Sequence, residues 1–278
     1  MVRRTVSFIA VLLVLVFFST QIVKAETEHD LAFIDYKLAL ESYSKLHDDY
    51  VLARTNYLRF DTLTSRNNAK EATLAMLQSR DDALIAYFNA IDTRTQEVDG
   101  VDQSTKDRLS GQLKDEAAWY ADHRDRLVAA GSIDDLVADS DEARKRYATL
   151  GPVIYEPLSQ IPYGRVLRFQ ERLNENFLAL KEKVNRIRAE ERPEYQFTTR
   201  KLESIDRWIF ETEDRLERSN EKLSVAYESI EKIPSSAKSI SSSQSRNNQV
   251  LESLKEILQD QKDASLRMRE IVREIKTE

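Results

Sequence analysis

Apolar residues recur along much of this chain at alternating steps of three and four. The longest unbroken stripe is Leu202, Ile205, Ile209, Thr212, Leu216, Ser219, Leu223, Ala226, Ile230 and Ile233. It is a heptad seam of more than four repeats, and it predicts a helix over about residues 194–233, roughly 60 Å long, with Pro193 in its first turn. A second seam, Leu251, Leu254, Leu258, Gln261, Ser265, Met268, Val272 and Ile275, follows the Ser-rich residues 234–243. That stretch reads as the turn of an antiparallel pair. Folding the pair about residue 239 or 240 sets Ser219 level with Gln261 and Thr212 level with Met268, a polar layer that fixes register at some cost in stability.

The front half repeats with different residues. Tyr36, Tyr43, Tyr50 and Tyr57 lie seven apart, with Ala39, Leu46, Ala53 and Phe60 completing the stripe, and Ala72, Ser79, Ala86 and Thr93 follow at the same interval. Large residues facing small ones predict a helical hairpin turning at residues 62–67. The Tyr column could alternatively serve as a stacking surface for a glycan or aromatic ligand, with the phenol hydroxyls reaching water.

The second helix of that hairpin carries another, bulky stripe, Leu77, Leu84, Ile91 and Val98. Two apolar faces require a third helix as cover. The segment after Ser104, with a Ser104-x-x-Asp107 start resembling a capping box and with Leu109, Leu113, Trp119, Tyr120 and Leu127, supplies it, ending at Gly131. A further helix starts after Ser132 or Ser140, and a seam at Leu173, Phe177, Leu180, Val184 and Ile187 precedes Pro193. The fold class expected is all-α: elongated antiparallel helical bundles with coiled-coil heptad seams, one over residues 26–150 and one over residues 165–278. The seams can be satisfied within one chain or between two copies in a homo-oligomer.

Residues 151–164 join the two. Pro152, Pro157 and Pro162 recur every five residues, removing helix hydrogen bonds and kinking or breaking the chain. The segment reads as a connector packed between the bundles or, from its apolar residues Ile154, Tyr155, Leu158, Ile161 and Tyr163, as a docking surface for a protein partner.

Residues 1–25 have another character: Arg3 and Arg4, an apolar run over residues 8–18, and the close Val23-Lys24-Ala25. An apolar run near 11 residues is short for a spanning helix of about 20, so the stretch reads as a signal peptide cleaved after Ala25, with an uncleaved anchor as the alternative. Membrane contact is expected only through an uncleaved leader. Removing Arg3, Arg4 and Lys24 lowers the net charge from −6 to −9. An acidic chain with interspersed signs is not built for nucleic acid. With no Cys there is neither a disulfide framework nor a thiolate site, and no Asn-x-Ser/Thr acceptor occurs.

Candidate chemistry is sparse. His29, His47 and His123 are the only imidazoles, and the first two stand about 27 Å apart on one helix, too far to share a metal. Glu26-x-x-His29 is half of a di-iron carboxylate signature without its second half. No phosphate loop or nucleophile elbow is present. Paired acids such as Asp48-Asp49 and Asp81-Asp82 read as solvated faces. No catalytic, cofactor or metal residues are therefore assigned. The expectation is an extracytoplasmic, non-enzymatic bundle acting as scaffold, spacer or adaptor in the cell envelope through a protein partner. The alternatives are an accessory of cell-wall remodelling with glycan or partner contacts and a membrane-active helical protein.

Overall fold

The computed structural model describes residues 27–189, 197–236 and 239–276. The expected signal peptide at residues 1–25, Glu26 and Pro193 lie outside the described residues. Among those described, every regular element is a helix: α1 Glu28–Phe60, α2 Leu63–Glu97, α3 Gln103–Arg126, a 3-10 turn Leu127–Ala129, α4 Ile133–Ala148, α5 Gly151–Ala189, α6 Thr199–Glu231, the short α7 Ile233–Ser236 and α8 Ile240–Lys276.

Local chemistry sets most of these boundaries. Thr27, Thr62 and Ser132 each accept the amide of the residue three positions on, whose side chain accepts the cap's own amide, so α1, α2 and α4 each begin with a reciprocal capping box. The cap of α3 is Asp102 rather than Ser104. Its carboxylate accepts from the Thr105 amide and from both neighbouring hydroxyls, which together hold it down at about 2, well below the usual range. Asp61, at φ 44°, ends α1 and turns directly into Thr62.

That turn is shorter than residues 62–67, and it moves the register of the first hairpin by about six residues. Tyr36 therefore packs against Tyr87, with ring centroids 5.1 Å apart, and not beside Thr93, while Ser42 meets Ser79. The tyrosine column is half-buried throughout, and α1 buries none of its side chains. Helix α2 lies between α1 and α3 and is buried around most of its circumference, with α4 folded back across α2 and α3.

Helix α5 runs unbroken from Gly151 to Ala189 through Pro157 and Pro162. Its first half shares a core with Phe88, Ile91, Leu113 and Tyr120, and its second half packs Leu173, Phe177 and Val184 against Ile205, Leu216, Ala264 and Ile271. It is thus common to both ends of the molecule. Two close approaches hold it there. A side chain at Gly164 would meet the Asp99 carbonyl at 2.8 Å, and one at Gly151 would meet Ser243 Oγ at 2.4 Å. Because α5 runs on past the end of α2 in the same direction, the bundle extends over roughly 90 Å at 1.5 Å per residue.

At the far end α6 and α8 form the antiparallel pair with α5 against them. The α6 stripe is buried at Ile205, Thr212, Leu216, Ser219, Leu223, Ala226 and Ile230, as its spacing indicates. In α8 the core line is Asn247, Val250, Leu254, Ile257, Gln261, Ala264 and Ile271, one residue away from half the expected stripe. Two partners, α5 and α6, draw the buried face round from Leu251 and Leu258, which stay half-buried. The polar layer spans three helices. Gln170 of α5 accepts from Ser219 Oγ at 2.7 Å and from Gln261 Nε2 at 3.0 Å, and donates to the Leu216 carbonyl. The Gln261 carbonyl oxygen is left without a partner.

Candidate functional site

Asp81 and His123 occupy the centre of the N-terminal half, both almost wholly buried. His123 Nδ1 lies 2.5 Å from Asp81 Oδ2, and Nε2 lies 3.0 Å from the Asp139 carbonyl. Both ring nitrogens face acceptors, an arrangement that the doubly protonated imidazolium satisfies. Burial alone would push His123 down. The hydrogen bond and charge of Asp81, with the Asp139 carbonyl, outweigh it, and the ring is held above its usual value. Trp119 stacks on the imidazole with centroids 5.2 Å apart at 15°, and Arg146, bidentate on Glu116, lies over the same indole.

Arg80 completes the cluster. Its Nε and Nη2 donate to Asp81 Oδ1 at 3.1 and 2.9 Å, and Nη1 reaches Ser140 Oγ at 3.4 Å. One carboxylate on α2 thereby serves two cations, one from its own helix and one from α3, while α4 contributes the Asp139 carbonyl and the Ser140 hydroxyl. Asp81 is thus a buried ion and not part of a solvated acidic pair, whereas Asp82 keeps half its side chain exposed and pairs with Arg124.

Arg80 also forms part of the wall of a cleft of about 590 Å3 between α1, α2, α4 and α5, to which Ile240 of α8 also contributes. Six tyrosines line it: Tyr36, Tyr43, Tyr87, Tyr120, Tyr147 and Tyr155. Burial, then the neighbouring phenols of Tyr36, Tyr155 and Tyr147, push Tyr87 up to about 12, so it is a neutral hydroxyl at any physiological pH. Tyr120 is raised as well, chiefly by burial.

The five apolar residues of the 151–164 segment do not share one open surface. Ile154, Ile161 and Tyr163 are core residues, and Tyr155 and Leu158 are half-buried against the N-terminal cluster. The cause is α5 itself, a helix held between two packed regions, whose periodicity distributes these side chains over both. Of the five, Ile154 and Tyr155 reach the cleft.

His29 caps the other end of the first hairpin: its amide donates to Glu97 and its Nδ1 lies 3.1 Å from the Ala90 carbonyl. His47 lies between the rings of Tyr43 and Tyr50. Among the described residues no three acids or histidines converge as metal ligands. Arg80, Asp81, His123 and Ser140 carried no motif in the sequence. Their one legible signal is position, since Asp81 stands four residues after Leu77 on the bulky stripe and His123 stands four after Trp119.

Comparison with known proteins finds no matching family model, no matching curated protein and no matching solved structure.

Proposed function

We propose that this chain is a non-enzymatic helical scaffold, spacer or adaptor of the cell envelope, exported by the leader at residues 1–25 and acting through contact with a protein partner. The observation that carries this reading is the outer side of α1. Leu31, Ile34 and Leu38 are 51, 44 and 60 % exposed, and Leu52, two heptads beyond Leu38, is 63 % exposed. Steps of three, four and fourteen are those at which one helix receives another, so the fitting partner is an amphipathic helix. Apolar side chains left open in this order, on a helix that also exposes Val51 and Leu58, mark a contact surface.

Two further features support it. An extent of roughly 90 Å suits a part that sets distances, and both nitrogens of His123 are committed to acceptors, leaving its imidazole no free position for proton transfer to a substrate. The membrane-active alternative has less to draw on, because no helix among the described residues is long and apolar enough to cross a membrane.

The test is photo-crosslinking in cells from Leu38 and Leu52, each replaced in turn by a photoreactive residue. Capture of the same envelope protein at both positions supports the adaptor reading. Capture of nothing but this chain's own helices overturns it. A second reading, an accessory of cell-wall remodelling, draws on the tyrosine-lined cleft. Co-sedimentation with purified cell wall is its check, and its loss on altering the cleft is the outcome it requires.

A further inference from the structure

The lining of the cleft has an unusual polar composition. Among the described residues its only charged side chains are Arg80 and Arg144, and it includes no Asp, Glu, Asn or Gln. This is so in a chain whose net charge is −6. The remaining polar groups are phenols and the Ser140 hydroxyl, while Leu40, Leu84, Ala83, Ala143 and Ile154 supply apolar wall. A volume of about 590 Å3 lies within the roughly 300–1,000 Å3 of small-ligand sites.

The charge behind the wall has the same sign. Asp81 is divided between Arg80 and His123, so with both ring nitrogens of His123 donating, the buried cluster holds two cations to one carboxylate. With Nε and Nη2 fixed on Asp81, Arg80 Nη1 donates one N–H to Ser140 at 3.4 Å and keeps its second for a ligand. Arg144, at the mouth, pairs with Asp141 at 3.0 Å in an exposed contact that an incoming anion can replace.

We propose that this cleft binds a small amphipathic organic anion, an aromatic or acyl body bearing one carboxylate, sulfonate or phosphate head. The apolar and ring walls take the body, and Arg80, Arg144, Ser140 and the phenol hydroxyls take the head. A sugar fits less well. Its hydroxyls need acceptors as well as donors, and sites that read them use carboxylates and amides that this wall lacks. The inference is independent of the contact role of α1, since neither Leu38 nor Leu52 lines the cleft.

The experiment uses two fluorescent probes of similar shape, the anionic 1-anilinonaphthalene-8-sulfonate and the neutral N-phenyl-1-naphthylamine, titrated into the protein purified after export. The variants are Arg80→Gln and Leu40→Trp. The second alters an exposed residue at the rim, so it keeps the test alive if loss of Arg80 disturbs folding, and circular dichroism with thermal melting confirms the folded state of each. Expected are one anionic probe per chain, bound at least about tenfold more tightly than the neutral probe, and about a tenfold loss or more in each folded variant. Displacement of the bound probe by laurate or by 1-naphthoate then identifies the acyl or the aromatic body. Equal affinity for the two probes, unchanged binding of the anion in a folded variant, or displacement by a neutral chitin oligosaccharide would overturn the proposal.

Discussion

The two ends of this molecule are held by different means. The C-terminal end, α6 and α8 against the second half of α5, is an apolar seam crossed by an uncharged polar layer, Ser219–Gln170–Gln261, and its one buried carboxylate among the described residues, Asp260, lies between Arg215 and Lys222 at the edge of the α6–α8 pair. In the N-terminal end one helix leaves every side chain at least partly exposed, a cleft remains open, and a buried ion cluster joins three helices. An uncharged core layer offers an anionic ligand nothing to pair with. An open cleft beside buried charge has both the space and the electrostatics to hold one.

The largest effects should fall on the ion cluster. Asp81→Ala leaves Arg80 and His123 buried without their carboxylate, and a loss of about 3–5 kcal/mol is expected. Amide exchange should quicken in α2, α3 and α4 and stay slow in α6 and α8. Equal loss at both ends would show the two regions to be one cooperative unit. Next comes the joint between them. Gly100 combines a φ of +85° with a Cβ position 2.2 Å from the Gly164 carbonyl, so Gly100→Ala should cost at least about 1–3 kcal/mol and lower both regions together in a melting experiment.

The polar layer gives a smaller effect with opposite signs. Gln170→Leu alone takes the acceptor from the Ser219 hydroxyl and leaves Gln261 Nε2 with only the Val166 carbonyl, and should destabilise by about 1–3 kcal/mol. Gln170→Leu with Gln261→Leu also removes the orphaned Gln261 oxygen and should recover that loss or exceed it, by denaturant titration. Strict additivity of the two changes would argue that they do not act as one network.

Acidity separates the regions next. The folded-state value of His123 is raised, so its contribution is fully present below the unfolded value near 6.5 and is lost as pH rises through the folded one. The groups facing it are Asp81, Arg80, Trp119 and the Asp139 carbonyl. The N-terminal melting temperature should therefore decline above pH 6.5, and His123→Gln should abolish that slope. The C-terminal end, having no histidine, should show no slope in this window. The smallest effect belongs to the outer face of α1, where Leu38→Glu should alter stability by no more than about 0.5 kcal/mol.

How well each region could be read in advance follows from the forces that hold it. Along α6, the steps from Leu202 to Ile233 marked a single face, and that face is the one buried. Half of the stripe expected in α8 lies one residue from the buried line because α5, as well as α6, packs on it, and a linear pattern cannot report a second partner. The hairpin of α1 and α2 was evident from its tyrosines, but its register was displaced because a turn of two residues, Asp61 and Thr62, does the work expected of six. Asp81 looked like one of many surface acids, since adjacent carboxylates in a charge-rich helix usually face water.

The sequence by itself determined the helical character of the chain, the existence of the first hairpin and the apolar face of α6, because those depend on spacings of a few residues along one chain. Only the tertiary structure decided that Pro157 and Pro162 lie inside a continuous α5, that Gln170 completes the polar layer, and that Asp81 meets His123 forty-two positions away. Those outcomes rest on which helix faces come together, and a buried charge or a cleft exists only once they have.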